Sequence, residues 1–154
     1  MTLLAKHIMV TSFDQINEKD SVDNAIKGIL KGRLRVTGHK TISLMVVNDF
    51  NQYVGVVTMF DILYHLRPSF LNYGIEGEHI DWEGQLKKII ADVREKKVNQ
   101  IMSSNLMGAH PDEHIMVVLD RMVKNKFRRL PVLENNRLVG IVYISDIYHH
   151  LFKE

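Results

Sequence analysis

The chain has 154 residues, 45% of them hydrophobic, a formal net charge of +2 and no cysteine. That length fits one compact domain or two very small units sharing a core, and the hydrophobic content excludes a disordered chain. The small charge gives no electrostatic case for nucleic acid or an anionic membrane, and the lack of thiols excludes a disulfide framework and a thiolate metal site. The start, Met1-Thr2-Leu3-Leu4-Ala5-Lys6-His7, lacks the apolar stretch of a secretory signal, and no apolar run reaches membrane-spanning length. The sequence therefore predicts a cytoplasmic protein with no membrane partner.

A short segment, Ala5-Lys6-His7-Ile8-Met9, opens the chain, and a short extended piece is expected from Asp14 to Asn17. Val22, Ala25, Ile26, Ile29 and Leu30 then recur at helical spacing, with Asp20-Ser21 as the start signal. The basic stretch Lys31 to Lys40 follows; without interleaved aromatics it reads as a solvated loop, not a nucleic-acid site. Two strands, Ser43 to Val47 and Tyr53 to Thr58, are joined by the turn-rich Asn48-Asp49-Phe50-Asn51-Gln52. A closing helix is expected to begin at Asp61, with Ile62, Leu63 and Leu66 on its apolar face.

From Arg67 to Lys97, Pro68 and the glycines at 74, 77 and 84 predict a loop first. Trp82, Leu86, Ile89, Ile90 and Val93 then predict an amphipathic helix. The order of the first half returns after that. Val98-Asn99-Gln100-Ile101-Met102 echoes the opening Ile-Met segment, and an extended piece is expected from Leu106 to His110. A helix with Ile115, Val118, Leu119, Met122 and Val123 follows, with Pro111-Asp112 as its start signal. Strands Leu130 to Leu133 and Leu138 to Tyr143 are joined by Glu134-Asn135-Asn136-Arg137, and a closing helix is expected to begin at Asp146 with Ile147, Tyr148 and Leu151 as its apolar positions.

The unit is thus β-α-β-β-α, written twice. One copy would bury too little surface to be stable alone, whereas two would share a core. The predicted fold is α+β: two repeats packed sheet to sheet with pseudo-twofold symmetry. The expected organisation is a first repeat over 1–66, an insertion over 67–97 and a second repeat over 98–154, together one compact module. The clearest repeated stretch is Gly55-Val56-Val57-Thr58-Met59-Phe60-Asp61 against Gly140-Ile141-Val142-Tyr143-Ile144-Ser145-Asp146. It places two equivalent carboxylates in one molecule.

These residues resemble the cystathionine-β-synthase (CBS) domain family, present as a tandem pair, or Bateman module. The likeness covers roughly 5–66 and 98–152. The second repeat carries it most fully, in Ile101-Met102, Arg128-Arg129-Leu130-Pro131-Val132, Val139-Gly140-Ile141-Val142 and Ser145-Asp146-Ile147. The first has Met45-Val46-Val47 in place of the usual Leu-Pro-Val, and extra residues around Lys31 to Lys40. The resemblance implies two clefts between the repeats, an adenine nucleotide or S-adenosyl compound bound there, a sensing role, and modules paired as a homodimer.

It also implies a ligand motif of Gly, then Thr or Ser, then Asp, complete in the first half as Gly55, Thr58 and Asp61. A carboxylate with two acceptor oxygens can take both hydroxyls of a ribose diol, and a Thr hydroxyl with free N–H groups at a helix start suits phosphate. Thr-x-x-Asp at a helix start is equally an ordinary cap; two aligned repeats of this family favour the ligand. In the second half Tyr143 replaces the hydroxyl step while Ser145 and Asp146 remain, so Tyr143 either stacks on a base or fills the cleft. The clefts are expected to be unequal, with the Asp61 site primary.

Arg128 and Arg129 are the expected phosphate ligands, since the planar guanidinium fork pairs with two phosphate oxygens. Strand alternation argues against both facing one cleft, and Ser43 and Leu44 are taken as their counterparts in the first repeat. Gln15-Ile16 and Gly108-Ala109 are expected to supply the adenine slot, with Met107 equally able to be core. Glu76, Glu78, His79 and Asp81 have no diagnostic metal-site spacing. No nucleophile, base and oxyanion donor can be assembled, so no enzyme and no catalytic residue are predicted. The function read from sequence is a regulatory module binding AMP or ATP, or an S-adenosyl compound, with no required cofactor and with its output passed to an effector protein. The alternative is a dimerisation scaffold that no longer binds nucleotide.

Overall fold

The structure is a computed structural model that describes residues 2–35, 38, 40–68, 82–105 and 107–153. The acidic group Glu76 to Asp81, the glycines at 74 and 77, and Leu106 lie outside the described residues. In chain order the elements are α1 (Ala5–Ile8), β1 (Gln15–Asn17), α2 (Val22–Lys31), β2 (Ser43–Val47), β3 (Tyr53–Thr58) and α3 (Met59–Leu66). Then come α4 (Trp82–Glu95), a 3₁₀ turn (Val98–Gln100), α5 (Ile115–Asn125), β4 (Arg129–Glu134), β5 (Arg137–Tyr143) and α6 (Ile144–Phe152).

The first sheet has the order β1-β2-β3, with β1 parallel and β3 antiparallel to β2. The second pairs β4 with β5, antiparallel, across a turn whose Asn135 and Asn136 both have positive φ, the backbone that Asn tolerates and a tight hairpin needs. Of the extended piece expected from Leu106 to His110, the described residues 107–110 form no strand, and among them only Ala109 joins the sheet, donating to Pro131 O at 2.9 Å and accepting from Leu133 N at 2.8 Å. Its neighbours are held by side chains instead. Met107 N donates to Asn105 Oδ1, and Gly108 O accepts from Arg121 Nη1, both at 2.9 Å. Backbone groups satisfied in this way cannot extend a ladder.

Ser21 caps α2 as the sequence suggests, accepting from Asn24 N at 3.1 Å. In the second half the cap is His114, whose Nδ1 accepts from Met116 N at 3.0 Å, three residues after the expected Pro111 start. The Pro111 to Glu113 carbonyls are engaged by α1: Lys6 N donates to Pro111 O and Ala5 N to Glu113 O. Both closing helices begin two residues before their Asp, at Met59 and Ile144, so Asp61 and Asp146 lie in the first turn.

The segments leading into each half pack on the opposite half. Val10 and Ile141 exchange two backbone hydrogen bonds, and Ser103 and Val56 do the same. Ala5 belongs to the core built by Val118, Met122, Leu130, Val132 and Ile147. Val98 and Ile101 belong to the core built by Val22, Ala25, Leu44, Val46 and Ile62. A third cluster, Met45, Tyr53, Ile141 and Tyr143, joins β2 and β3 to β5 between the sheets. Helix α4 adds Val93 and Ile89 to the first core, whereas Leu86 is exposed. Leu30 and Val123, expected inward, are also exposed at the margins of their helices.

Candidate functional site

The cleft at the end of β3 is a cavity of 590 Å³ lined by Thr58, Asp61, Ser103, Met107, Arg128 and Arg129, with an apolar wall that includes Ile42, Val56 and Pro131. That is a size suited to a small organic ligand. Its carboxylate is held by its own helix start. Thr58 Oγ1 accepts from Asp61 N at 3.1 Å, while Asp61 Oδ2 accepts from Thr58 N at 2.9 Å and Thr58 Oγ1 at 3.0 Å. Ser103, brought in by the exchanged segment, donates from Oγ to Asp61 Oδ1 at 2.9 Å.

The motif is therefore a helix cap that also lines the cavity. Three of the roughly four lone-pair positions of the carboxylate are filled, two of them by the cap. The Ser103 hydroxyl is exposed and rotatable, so Oδ1 is the oxygen less tied to the helix cap. The helix start offers fewer free N–H groups than the sequence suggests: Met59 N is bound to Ile42 O at 3.3 Å and Asp61 N to Thr58 Oγ1.

Arg129 supplies the positive charge. It sits at the start of β4, opposite Tyr143 in the register, and burial pushes its guanidinium below its usual basicity. Its buried Nε has no hydrogen-bond partner, and among the described residues Arg129 forms no ion pair. Arg128 lines the same cavity, contrary to the alternation argument. It precedes β4, so the pleat does not dictate its direction, and it is exposed where Arg129 is half-buried. The register also corrects the counterparts in the first repeat. Arg129 pairs with Tyr143 as Ser43 pairs with Thr58, so Ile42 and Ser43, not Ser43 and Leu44, match the two arginines.

The second cleft, a cavity of 600 Å³, contains Asp146 together with Met9, Ser12, Arg33, Arg35 and His149. One oxygen of its carboxylate is taken by a cation. Arg35 Nη1 donates to Asp146 Oδ1 at 2.9 Å, and the two side chains are 9% and 11% exposed. Ser145 Oγ lies 3.4 Å from both terminal nitrogens of Arg35. Tyr143 is buried between the sheets with the Arg35 guanidinium 3.8 Å above its ring. Tyr143 thus lies between the sheets, outside the lining of the 600 Å³ cavity, and stacks on an arginine. Burial pushes its phenol upward, against the pull of Arg35 and Arg129. The basic stretch is not merely solvated: it delivers Arg35 into this cleft.

The expected adenine slot is not assembled. Ile16 is part of the first core, and Gln15 and Ile16 line a separate 450 Å³ hollow beside α2. Ala109 is buried in the second core, Gly108 is tied to Arg121, and neither lines either cleft. Met107, one residue earlier, is 38% exposed and does line the Asp61 cavity. Ser103 and Arg35 were missed from sequence; each reaches its carboxylate only through a long-range crossing of the chain. Among the described residues no cluster of three metal-ligating side chains occurs, and no helix is long and apolar enough to cross a membrane.

The family pattern described as "CBS domain" matches residues 5–68 and 98–153. A homoserine O-acetyltransferase of Methanococcoides burtonii is 29% identical over 91% of this chain and 22% of its own length. The chain spans between 22% and 53% of the first three curated relatives it matches. Among solved structures, CBSX2 in complex with AMP superposes with a TM-score of 0.70 at 20% identity, covering 98% of this chain and 97% of its own. A CBS domain pair in complex with 5′-methylthioadenosine and S-adenosyl-L-methionine gives a TM-score of 0.66 at 22% identity, covering 98% and 97%.

Proposed function

Because the chain belongs to the CBS domain family, we propose that it is a ligand-sensing regulatory module that takes an adenosine-containing nucleotide into the Asp61 cleft and signals through conformation or assembly. The observation that carries this reading is Arg129. A half-buried guanidinium with an unpartnered Nε and no ion pair is costly even with Asp61 in the same cavity, and an anion entering the cavity relieves that cost. Asp61 Oδ1 serves the ribose hydroxyls, Arg128 and Arg129 serve phosphate, and the wall of Ile42, Val56, Met107 and Pro131 serves the base. The positive lining favours AMP or ATP over a cationic sulfonium ligand. The AMP and S-adenosyl complexes of the structural neighbours support the same ligand class.

No cofactor is required in this role, and the module regulates rather than catalyses. Its output goes to an effector protein or to a homodimer. Exposed aromatic pairs on the closing helices, Phe60 with Tyr64 and Tyr148 with Phe152, support pairing of modules through those faces. Calorimetric titration with AMP, ADP, ATP and S-adenosylmethionine tests the reading. Saturable heat with an adenine nucleotide is expected. No heat and no thermal shift with any of the four would leave the scaffold reading.

A further inference from the structure

We infer that Arg35 is a built-in occupant of the second cleft, so that each chain presents one usable nucleoside site, not two. This rests on the reading of the Asp61 cleft as a nucleotide site and goes beyond it, because it concerns the pseudo-symmetric partner.

The two clefts are built alike. Each has a carboxylate in the first turn of a closing helix, at the end of a strand that carries the Gly of the repeated motif. In each, the exchanged segment pairs two residues before the helix cap, through Val56 with Ser103 and Ile141 with Val10. They differ in what meets the carboxylate. Asp61 meets neutral hydroxyls and its own helix backbone, with one oxygen open to exchange. Asp146 meets a cation. Arg35 bonds its Oδ1, lies within 3.4 Å of Ser145 Oγ and stacks on Tyr143, so three residues of the repeated motif are engaged by one side chain.

Charge-assisted bonds of this kind are stronger than those a neutral ribose hydroxyl offers, and displacing Arg35 would leave a nearly buried cation unpaired. The cavity itself stays open, so what is lost is the recognition group, not the space. The substitution of Tyr143 for a hydroxyl residue fits this arrangement. A Thr at that position would offer Arg35 no ring to lie on, and the insertion in the first repeat is what carries Arg35 across. Residue and loop are two halves of one device.

The experiment is calorimetric stoichiometry with AMP, and with ATP and S-adenosylmethionine in parallel, on the full chain and on Arg35→Ala. The wild type should bind one ligand per chain and Arg35→Ala two, with the second site lost again in Arg35→Ala/Asp146→Ala. In Arg35→Ala/Asp61→Ala a single site, the Asp146 one, should remain. Two sites in the wild type, or one site unchanged in Arg35→Ala, would overturn the inference while leaving the Asp61 reading intact. A wild type without binding beside an Arg35→Ala that binds one ligand would support the inference and overturn the Asp61 reading. No binding in either protein overturns both. Arg35→Ser serves as a second variant should the alanine protein not fold.

Discussion

Met9 lies against Gly140 so closely that a Cβ on Gly140 would fall 2.6 Å from its sulfur. The equivalent pair in the other half is Gly55 with the Met102-Ser103 segment, where a Cβ would fall 2.5 Å from Ser103 O and 3.2 Å from Met102 Sδ. The two repeated signatures, Ile-Met and the glycine that opens the ligand motif, are therefore two sides of one contact made crosswise between halves. Each glycine lets the exchanged segment approach the sheet, and at Gly55 that segment brings Ser103 to Asp61.

The two glycines should respond differently to substitution. Gly55→Ala meets a backbone carbonyl that is itself hydrogen-bonded to Val56 N, so the exchanged strand must move. Gly140→Ala meets a flexible methionine side chain. Overpacking costs typically ~1–3 kcal/mol, and Gly55→Ala is expected at the upper end and Gly140→Ala at the lower. Chemical denaturation of the two variants checks the order.

Asp61 caps α3 and, in the proposed role, also accepts from the ligand, and its substitution should show both. Asp61→Ala removes the reciprocal cap of α3, expected to cost about 1 kcal/mol, and also the ligand's acceptor. Loss of hydrogen bonds to a charged group predicts roughly ten- to hundredfold weaker nucleotide binding. Thermal melting reads the first effect and titration with AMP the second. Unchanged affinity would place the ligand elsewhere.

Arg129 should destabilise the empty protein. Burial is the largest influence on its charge, and Asp61 offsets it only through space, with no bond to the guanidinium, so at neutral pH, where it is charged folded and unfolded alike, the fold bears part of that penalty. Arg129→Met keeps the stem and drops the charge. The ligand-free Tm is expected to rise, with ~1 kcal/mol reading as roughly 2–4 °C in a chain of this size. The thermal shift produced by AMP in the wild type should shrink in the variant.

Glu113 ties the loop that carries Met107 to α5. It takes both terminal nitrogens of Arg121, at 3.0 and 2.7 Å, while Arg121 also holds Gly108 O. The Arg121 hydrogen bonds hold its carboxyl below the ordinary value of 4.5. A depressed carboxylate contributes stability above its unfolded pKa and loses it as pH falls through the folded one. Glu113→Gln should therefore be less stable than wild type at neutral pH, by up to ~1 kcal/mol for a partly exposed pair, and the two curves should converge in acid. Melting curves across the acid range check the sign.

Much of this was legible in the chain. The period of Val22, Ala25 and Ile29 and of Ile115, Val118 and Met122 marks two helix faces that are buried as expected. The alternation in β3 and the Asn-rich turns place the hairpins to within a residue or two. Local signals of this kind depend on neighbours in sequence. What was not legible depends on neighbours in space. Ala109 makes a bridge instead of a strand because Arg121 and Asn105 claim the backbone around it. Ser103 and Arg35 reach Asp61 and Asp146 from 42 and 111 residues away. The residues expected at the base, Gln15, Ile16, Gly108 and Ala109, lie outside the linings of both clefts for the converse reason. Their positions were inferred from order along the chain, and the sheets turn them toward the cores or the outer face.

The most direct test of the central claim compares AMP with adenosine, by titration, in the wild type and in Arg129→Ala. The two ligands share base and ribose and differ in the phosphate that Arg129 is proposed to receive. AMP should bind the wild type at least tenfold more tightly than adenosine, and Arg129→Ala should largely erase that ratio while leaving adenosine affinity nearly unchanged. Equal affinity of AMP and adenosine for the wild type, or a ratio that survives Arg129→Ala, would contradict a nucleotide bound in the Asp61 cleft through its phosphate.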